Sequence, residues 1–160
     1  MLQFHETTEA EKEIISAWHY AGEYAIYDLP PYAEAKARGQ GLANPKNHFL
    51  SFYDGQILVG FLNLVEEPEQ VFVGIGVAPD LCSRGYGRQM LTLAAREAAE
   101  RWPGKPLYLE VRSWNQRAVR CYEAAGFRVD GPAFIQTTGI GEGAFYRMVL
   151  PVSKAPKEPI

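Results

Sequence analysis

An apolar, glycine-dotted segment, Gly74-Ile75-Gly76-Val77, runs into Pro79, then into a loop ending Arg84-Gly85-Tyr86-Gly87. An amphipathic pattern carrying Met90, Leu91, Ala94 and Ala98 on one face follows at once. Strand, glycine-bearing loop and helix in that order constrain the fold strongly. The first turn of a helix has backbone N–H groups without intrahelical partners, and the helix dipole makes that end positive. Such a loop is built to hold a phosphate or pyrophosphate. The same glycines also suit a tight turn needed only for packing. A dinucleotide fingerprint of the type G-x-G-x-x-G is absent, because Met90 stands where the third glycine belongs, and the pattern G-x-x-x-x-G-K-[S/T] occurs nowhere.

The rest of the chain reads as alternating strands and helices. Residues 2–5 suit a short strand, and Thr8 with Glu11 forms a capping box before a helical stripe of Ile14, Ile15 and Trp18. A second helix is expected around residues 31–38. Strands follow over 49–53 and 57–65, joined by Asp54-Gly55 in a type I′ turn, with a third over 70–77. A helix over 84–102 stops at Pro103-Gly104, and a strand spans 107–111. Asn115 caps a helix over 115–125 that ends at Gly126. Strands over 127–136 and 144–152 close the chain, and residues 153–160 read as a frayed, disordered tail after a domain over 1–152. Strands before, between and after helices point to a mixed α/β sheet.

Composition excludes several classes. A net charge of −3 and no basic run interleaved with aromatics argue against nucleic acid as a partner. No stretch approaches the roughly 18–20 apolar residues of a membrane span. The first residues lack the basic and apolar regions of a signal peptide. Two cysteines and three scattered histidines lack metal-ligand spacing, so no metal site and reduced thiols are the expectation. A cytoplasmic location is expected on the same grounds.

A second motif refines this reading. Residues 109–127, L-E-V-R-S-W-N-Q-R-A-V-R-C-Y-E-A-A-G-F, resemble the C-terminal signature N-x-x-A-x-x-x-Y-E-x-x-G-F of the GNAT superfamily of acetyl-coenzyme A-dependent N-acetyltransferases. Asn115, Ala118, Tyr122, Gly126 and Phe127 stand at its positions. The loop resembles the same superfamily: Val77, Pro79, Gly85, Gly87 and Leu91 match V-x-P, five residues, G-x-G and a leucine four residues on. The core [Q/R]-x-x-G-x-[G/A] is matched by residues 82–87, with Cys82 in place of Gln or Arg. That departure removes a side-chain contact and leaves the backbone cradle, with Arg84 or Arg88 available as compensating charge. Together the motifs cover roughly residues 57–130.

The resemblance implies a small, single-domain, bacterial-type member. Its fold would be a mixed central sheet of about six to seven strands with a splayed central pair, flanked by about four helices. It implies acetyl-coenzyme A held by Ile75, Gly76, Val77, Cys82, Ser83, Arg84, Gly85, Tyr86, Gly87, Arg88, Asn115 and Tyr122. The pantetheine arm would pair with the strand before the loop, an amide near Ile75 polarising the thioester carbonyl. Tyr122 would be general acid toward the leaving thiolate, since a phenol keeps its proton at neutral pH; a core tyrosine is the alternative. Glu110 would be the general base, or else a partner of Arg112 or Arg120 in a salt bridge. Direct attack in a ternary complex is implied, with neither Cys82 nor Cys121 carrying the acyl group.

The acceptor side would be built from Trp18, Tyr20, Glu23, Tyr24, Tyr27 and Asp28 with residues 136–146, unless those aromatics are simply core. The implied acceptor is a primary amine on a small metabolite, an amino acid or a drug-like molecule. A protein N-terminus, as in the ribosomal-protein-modifying branch, and a non-catalytic acyl-coenzyme A-binding module are the alternatives. Strand edges leave room for a homodimer.

Overall fold

In the computed structural model, which describes residues 1–152, the chain runs β1 (Gln3–Glu6), α1 (Glu9–Ser16), α2 (Tyr32–Arg38), β2 (Phe49–Asp54), β3 (Ile57–Glu66), β4 (Val71–Val77), α3 (Tyr86–Arg101), β5 (Leu107–Arg112), α4 (Gln116–Ala124), β6 (Arg128–Val129), β7 (Phe134–Thr138) and β8 (Gly141–Leu150). The tail expected over 153–160 lies outside the described residues. The strands form one mixed sheet in the order β1-β2-β3-β4-β5-β8-β6, with β7 paired to β8. All neighbours are antiparallel except β4 and β5, which are parallel.

That parallel pair shapes the molecule. It is joined only at Val71–Leu107 and Phe72–Tyr108. Beyond Phe72, β4 stays paired with β3 as far as Val77, while β5 follows β8 as far as Arg112. The strands therefore splay, and a gap opens toward their C-terminal ends. Leu62, Leu64, Val73, Leu109 and Val111 pack under α3 and α4 against Met90, Leu91, Ala94, Val119 and Phe127. On the opposite face Ile15, Tyr32, Ala35 and Leu42 form a second cluster with Trp18, Phe49 and Phe61.

Local chemistry explains where the elements begin and end. Thr8 accepts from the Glu11 N–H and Glu11 accepts from the Thr8 N–H, closing the capping box. Asn115 Oδ1 accepts from the Ala118 N–H and caps α4. Its far end closes with Phe127 N–H on Tyr122 O and Gly126 N–H on Glu123 O, the two bonds of a Schellman motif.

Five expectations are corrected. The sheet has eight strands because Asp130-Gly131-Pro132 breaks the one expected over 127–136, proline having no N–H for a ladder. The β2–β3 loop is Gly55-Gln56, with only Gly55 at positive φ (60°); those are the φ signs of a type II′ turn, which puts glycine first. α3 starts at Tyr86, since Gly85 sits at φ 85°, outside the right-handed helical region. α4 starts at Gln116, with Asn115 outside as its cap. α1 ends at Ser16, so Trp18 lies beyond it, and Ile14 is exposed.

Candidate active site

The loop after β4 begins with a 3-10 turn, Pro79–Leu81. Ser83 then takes a left-handed conformation at φ 65°, rare for a residue with a Cβ, followed by Gly85. No side chain caps α3, so its first-turn N–H groups are offered to whatever lies above the loop. The two loop glycines have different reasons. A Cβ on Gly85 would meet nothing within 4 Å, so backbone conformation alone demands glycine and the space above it is open. A Cβ on Gly87 would lie 2.9 Å from Cys121 Sγ, so its glycine lets α3 approach α4. Arg84 and Arg88 are exposed beside the cradle. The Tyr86 hydroxyl donates to Asp54 Oδ2 at 2.7 Å, pinning the start of α3 to the β2–β3 turn. Cys82 is half-buried, its thiol turned toward Val77 O and Ala78 O, and burial raises its pKa.

Backbone phase defines the wall of the gap. Val71 N–H donates to Pro106 O, and Val77 O accepts from the Tyr20 hydroxyl at 2.7 Å. Odd-numbered residues of β4 thus turn their peptide groups away from β3, and those of Ile75 face the splay. Gly76 stands opposite Phe61, and a Cβ there would collide with that ring. An uncapped helix start, an open loop backbone and an unpaired strand edge together fit a long ligand bearing a pyrophosphate.

Glu110 and Tyr122 come from different sides. Alternation along β5 buries Leu109 and Val111 under α3 and α4 and puts Glu110 on the other face, as expected from the pattern. Among the described residues Glu110 forms no salt bridge, so neither Arg112 nor Arg120 engages it. Tyr122 packs against the main core from α4. Burial raises its phenol well above the ordinary value, nearby Cys121 and Tyr27 add to the effect, and Arg117 opposes it.

The expected acceptor side is an aromatic cover over the C-terminal end of β5. The 3-10 helix Gly22–Tyr27 lays Tyr24 and Tyr27 against Trp114, with ring centroids 5.7 and 6.2 Å apart. Tyr27 accepts from Asn115 Nδ2 at 2.9 Å, and Arg117 lies 3.9 Å over the Tyr24 ring. Burial raises the Tyr27 phenol, offset in part by Asn115 and Arg112. Trp18 sits apart, tilted on Phe61. The Asp28 carboxylate bonds His19 and the Tyr20 N–H, contacts that depress its pKa and fold the segment back on itself. Two further residues belong here, Trp114, which has no role in the sequence pattern, and Arg112, expected there only as a salt-bridge partner of Glu110. Trp114 completes the aromatic cover, and Arg112 lies on the Glu110 face, a placement already implied by the alternation in L-Y-L-E-V-R.

Comparison with known proteins agrees with this geometry. Over 92 residues the chain is 36% identical to N-alpha-acetyltransferase RimI of Mycobacterium tuberculosis, a match covering 54% of this chain and 56% of that protein. The chain spans about half the length of the curated relatives it matches. Among solved structures, a chimera of the spermidine N-acetyltransferase SpeG from Vibrio cholerae and hSSAT superposes with a TM-score of 0.76 at 20% identity, covering 96% of each chain. The ribosomal-protein-S18-alanine N-acetyltransferase from Escherichia coli superposes with a TM-score of 0.68 at 21% identity, covering 100% of this chain and 99% of that one. At these identities the structural matches establish the fold. The model of the Acetyltransferase (GNAT) family matches residues 9–127, and with the splayed sheet and the loop at α3 this chain belongs to that family.

Proposed function

We propose that this chain moves an acetyl group from acetyl-coenzyme A to a primary amine on a small molecule. The observation that carries the reading is the gap between β4 and β5, which ends at the uncapped start of α3. In this reading residues 82–88 hold the pyrophosphate through backbone N–H groups, and the peptide groups of Ile75, which face the gap, hold the pantetheine arm; Gly76, expected to share that role, pairs with Phe61 of β3 instead. When bound, the coenzyme supplies an activated acetyl thioester. Glu110 accepts a proton from the incoming ammonium, directly or through water. The neutral amine nitrogen bonds to the acetyl carbon as the carbon–sulfur bond breaks, and no acyl-enzyme forms. Tyr122 holds its proton at Oη, raised by burial, and donates it where thiolate charge develops. Of two protons lost by the ammonium, one offsets that donated to sulfur and one leaves to solvent.

The aromatic cover of Tyr24, Tyr27 and Trp114 at the C-terminal end of β5 supports a small acceptor. A peptide N-terminus is the second reading, favoured by the 36% identity to a protein named as an N-alpha-acetyltransferase. Calorimetric titration with acetyl-coenzyme A, alongside NAD and ATP, tests the assignment, followed by thiol release with amines. Saturable binding of acetyl-coenzyme A alone is expected; its absence in folded protein would refute the reading.

A further inference from the structure

Arg112, the last residue of β5, is only 9% exposed. Arginine is rarely buried this far without a carboxylate partner, because an isolated buried charge is costly. Among the described residues, however, its guanidinium takes part in no ion pair or hydrogen bond. No sealed side-chain nitrogen or oxygen lacks a partner either, so the nitrogens of Arg112 must border accessible space.

The surroundings explain how the charge is tolerated. Arg112 stands directly opposite Phe145, and its guanidinium carbon lies 4.7 Å from the centre of that ring, in cation–π range. Next along β8 on the same face is Gly143, where a Cβ would collide with Arg112 Nη1. Phe145 and the bare backbone of Gly143 thus form a slot that borders the guanidinium, while its N–H groups meet no acceptor among the described residues. Arg112 O accepts from the Asn115 N–H at 2.9 Å, and the Asn115 side-chain amide donates to the Tyr27 hydroxyl at 2.9 Å, so the slot adjoins the aromatic cover.

Arg147, Arg117 and Asp28 are already engaged. Arg147, across from Glu110 on the same face, holds Asp130 and Gln70. Arg117 lies over Tyr24, and Asp28 holds His19. Glu110 is two residues before Arg112 on that face, about 7 Å along the strand, and forms no ion pair with it.

We propose that Arg112 recognises a carboxylate on the acceptor, so that the substrate is a zwitterion presenting its ammonium to Glu110 and its carboxylate to Arg112. The inference rests on reading this site as an amine N-acetyltransferase and names the acceptor class. A planar guanidinium pairs with a carboxylate through two parallel hydrogen bonds. A polyamine would set a second ammonium against the same guanidinium and be rejected by like charge. The carboxylate can be the main-chain group of a free amino acid or the side chain of an acidic first residue in a peptide.

The test uses the full chain and thiol release with four acceptor sets: free L-amino acids, their carboxamides, Asp-Ala amide beside Ala-Ala amide, and spermidine. At least one carboxylate-bearing acceptor should exceed its uncharged counterpart by about tenfold or more in kcat/KM, the size of one charge-assisted contact. Preference for free amino acids or for Asp-Ala amide identifies the source of the carboxylate. Arg112→Gln should raise KM for that acceptor at least about tenfold more than for its amide, and Arg112→Lys should recover part of the loss. Calorimetry with the N-acetylated form of the best acceptor, in the presence of coenzyme A, should show binding that Arg112→Gln removes while the melting temperature holds. Carboxamides or spermidine used as well as the acids, or an Arg112→Gln effect equal on acid and amide, would overturn the inference and leave the acetyltransferase reading intact. Folded protein that binds no acetyl-coenzyme A would overturn both.

Discussion

The Asn115 side-chain amide donates to the Tyr27 hydroxyl at 2.9 Å, joining segments 88 positions apart. The same amide caps α4 through its oxygen, so one buried residue fixes the helix start and anchors the aromatic cover. Asn115→Ala removes both bonds and should destabilise the fold by about 1–2 kcal/mol. Tyr27→Phe removes only the link and should cost about 0.5–1.5 kcal/mol. Urea unfolding of both variants and of the double mutant checks this; a double mutant equal to the sum of the two would show that the residues are not coupled.

Tyr122→Phe should lower kcat by about 10²–10⁴, the usual worth of a general acid, with little change in the affinity for acetyl-coenzyme A. Because burial raises the phenol, the acid form persists to higher pH than a free tyrosine would allow. The unmodified enzyme should therefore not lose its acid near pH 10, where an ordinary phenol titrates. Stopped-assay pH profiles and calorimetry distinguish this from a structural tyrosine, whose removal would weaken coenzyme binding as much as turnover.

Gly85→Glu places a carboxylate in the open space at the start of α3 and forces a residue with a Cβ into the left-handed region. The conformational cost is about 1–2 kcal/mol, within reach of a stable fold, whereas the charge should abolish binding of acetyl-coenzyme A. Calorimetry on protein of near-native melting temperature is the measurement, and undiminished affinity would remove the loop from the binding site.

Glu11 offers a pH-dependent test of the fold. Burial pushes its pKa up, but hydrogen bonds from the Thr8 N–H, Tyr53 and His5 outweigh that and bring it from 4.5 to about 2. The folded-state value lies below the unfolded one, so this stabilisation is complete above about pH 4.5 and is lost as the pH falls toward about 2. Glu11→Gln should be destabilised at neutral pH, and its stability should fall less steeply than that of the unmodified protein across that window. Parallel curves for the two proteins in urea unfolding at several acid pH values would show that Glu11 carries none of the dependence.

Much of the site is readable in the chain because its signals are local. A strand ending at a proline, a glycine that leaves the helical region and a capping asparagine all act through neighbours a few residues away. The capping box at Thr8 and the alternation that turns Glu110 from the core are of the same kind. The misplaced boundaries have equally local causes: Gly55 rather than Asp54 carries the turn's positive φ, and Pro132 divides the last-but-one strand.

What the sequence by itself determined was therefore the order of elements, the loop that opens α3, and the family to which both motifs point. Only the tertiary structure decided that Tyr20 closes the Val77 carbonyl, that Asn115 holds Tyr27, and that Arg112 lies between Phe145 and Gly143. Those relations join segments tens of residues apart. They depend on which strands become neighbours and in what register, and a one-residue slip would turn each side chain to the other face of the sheet.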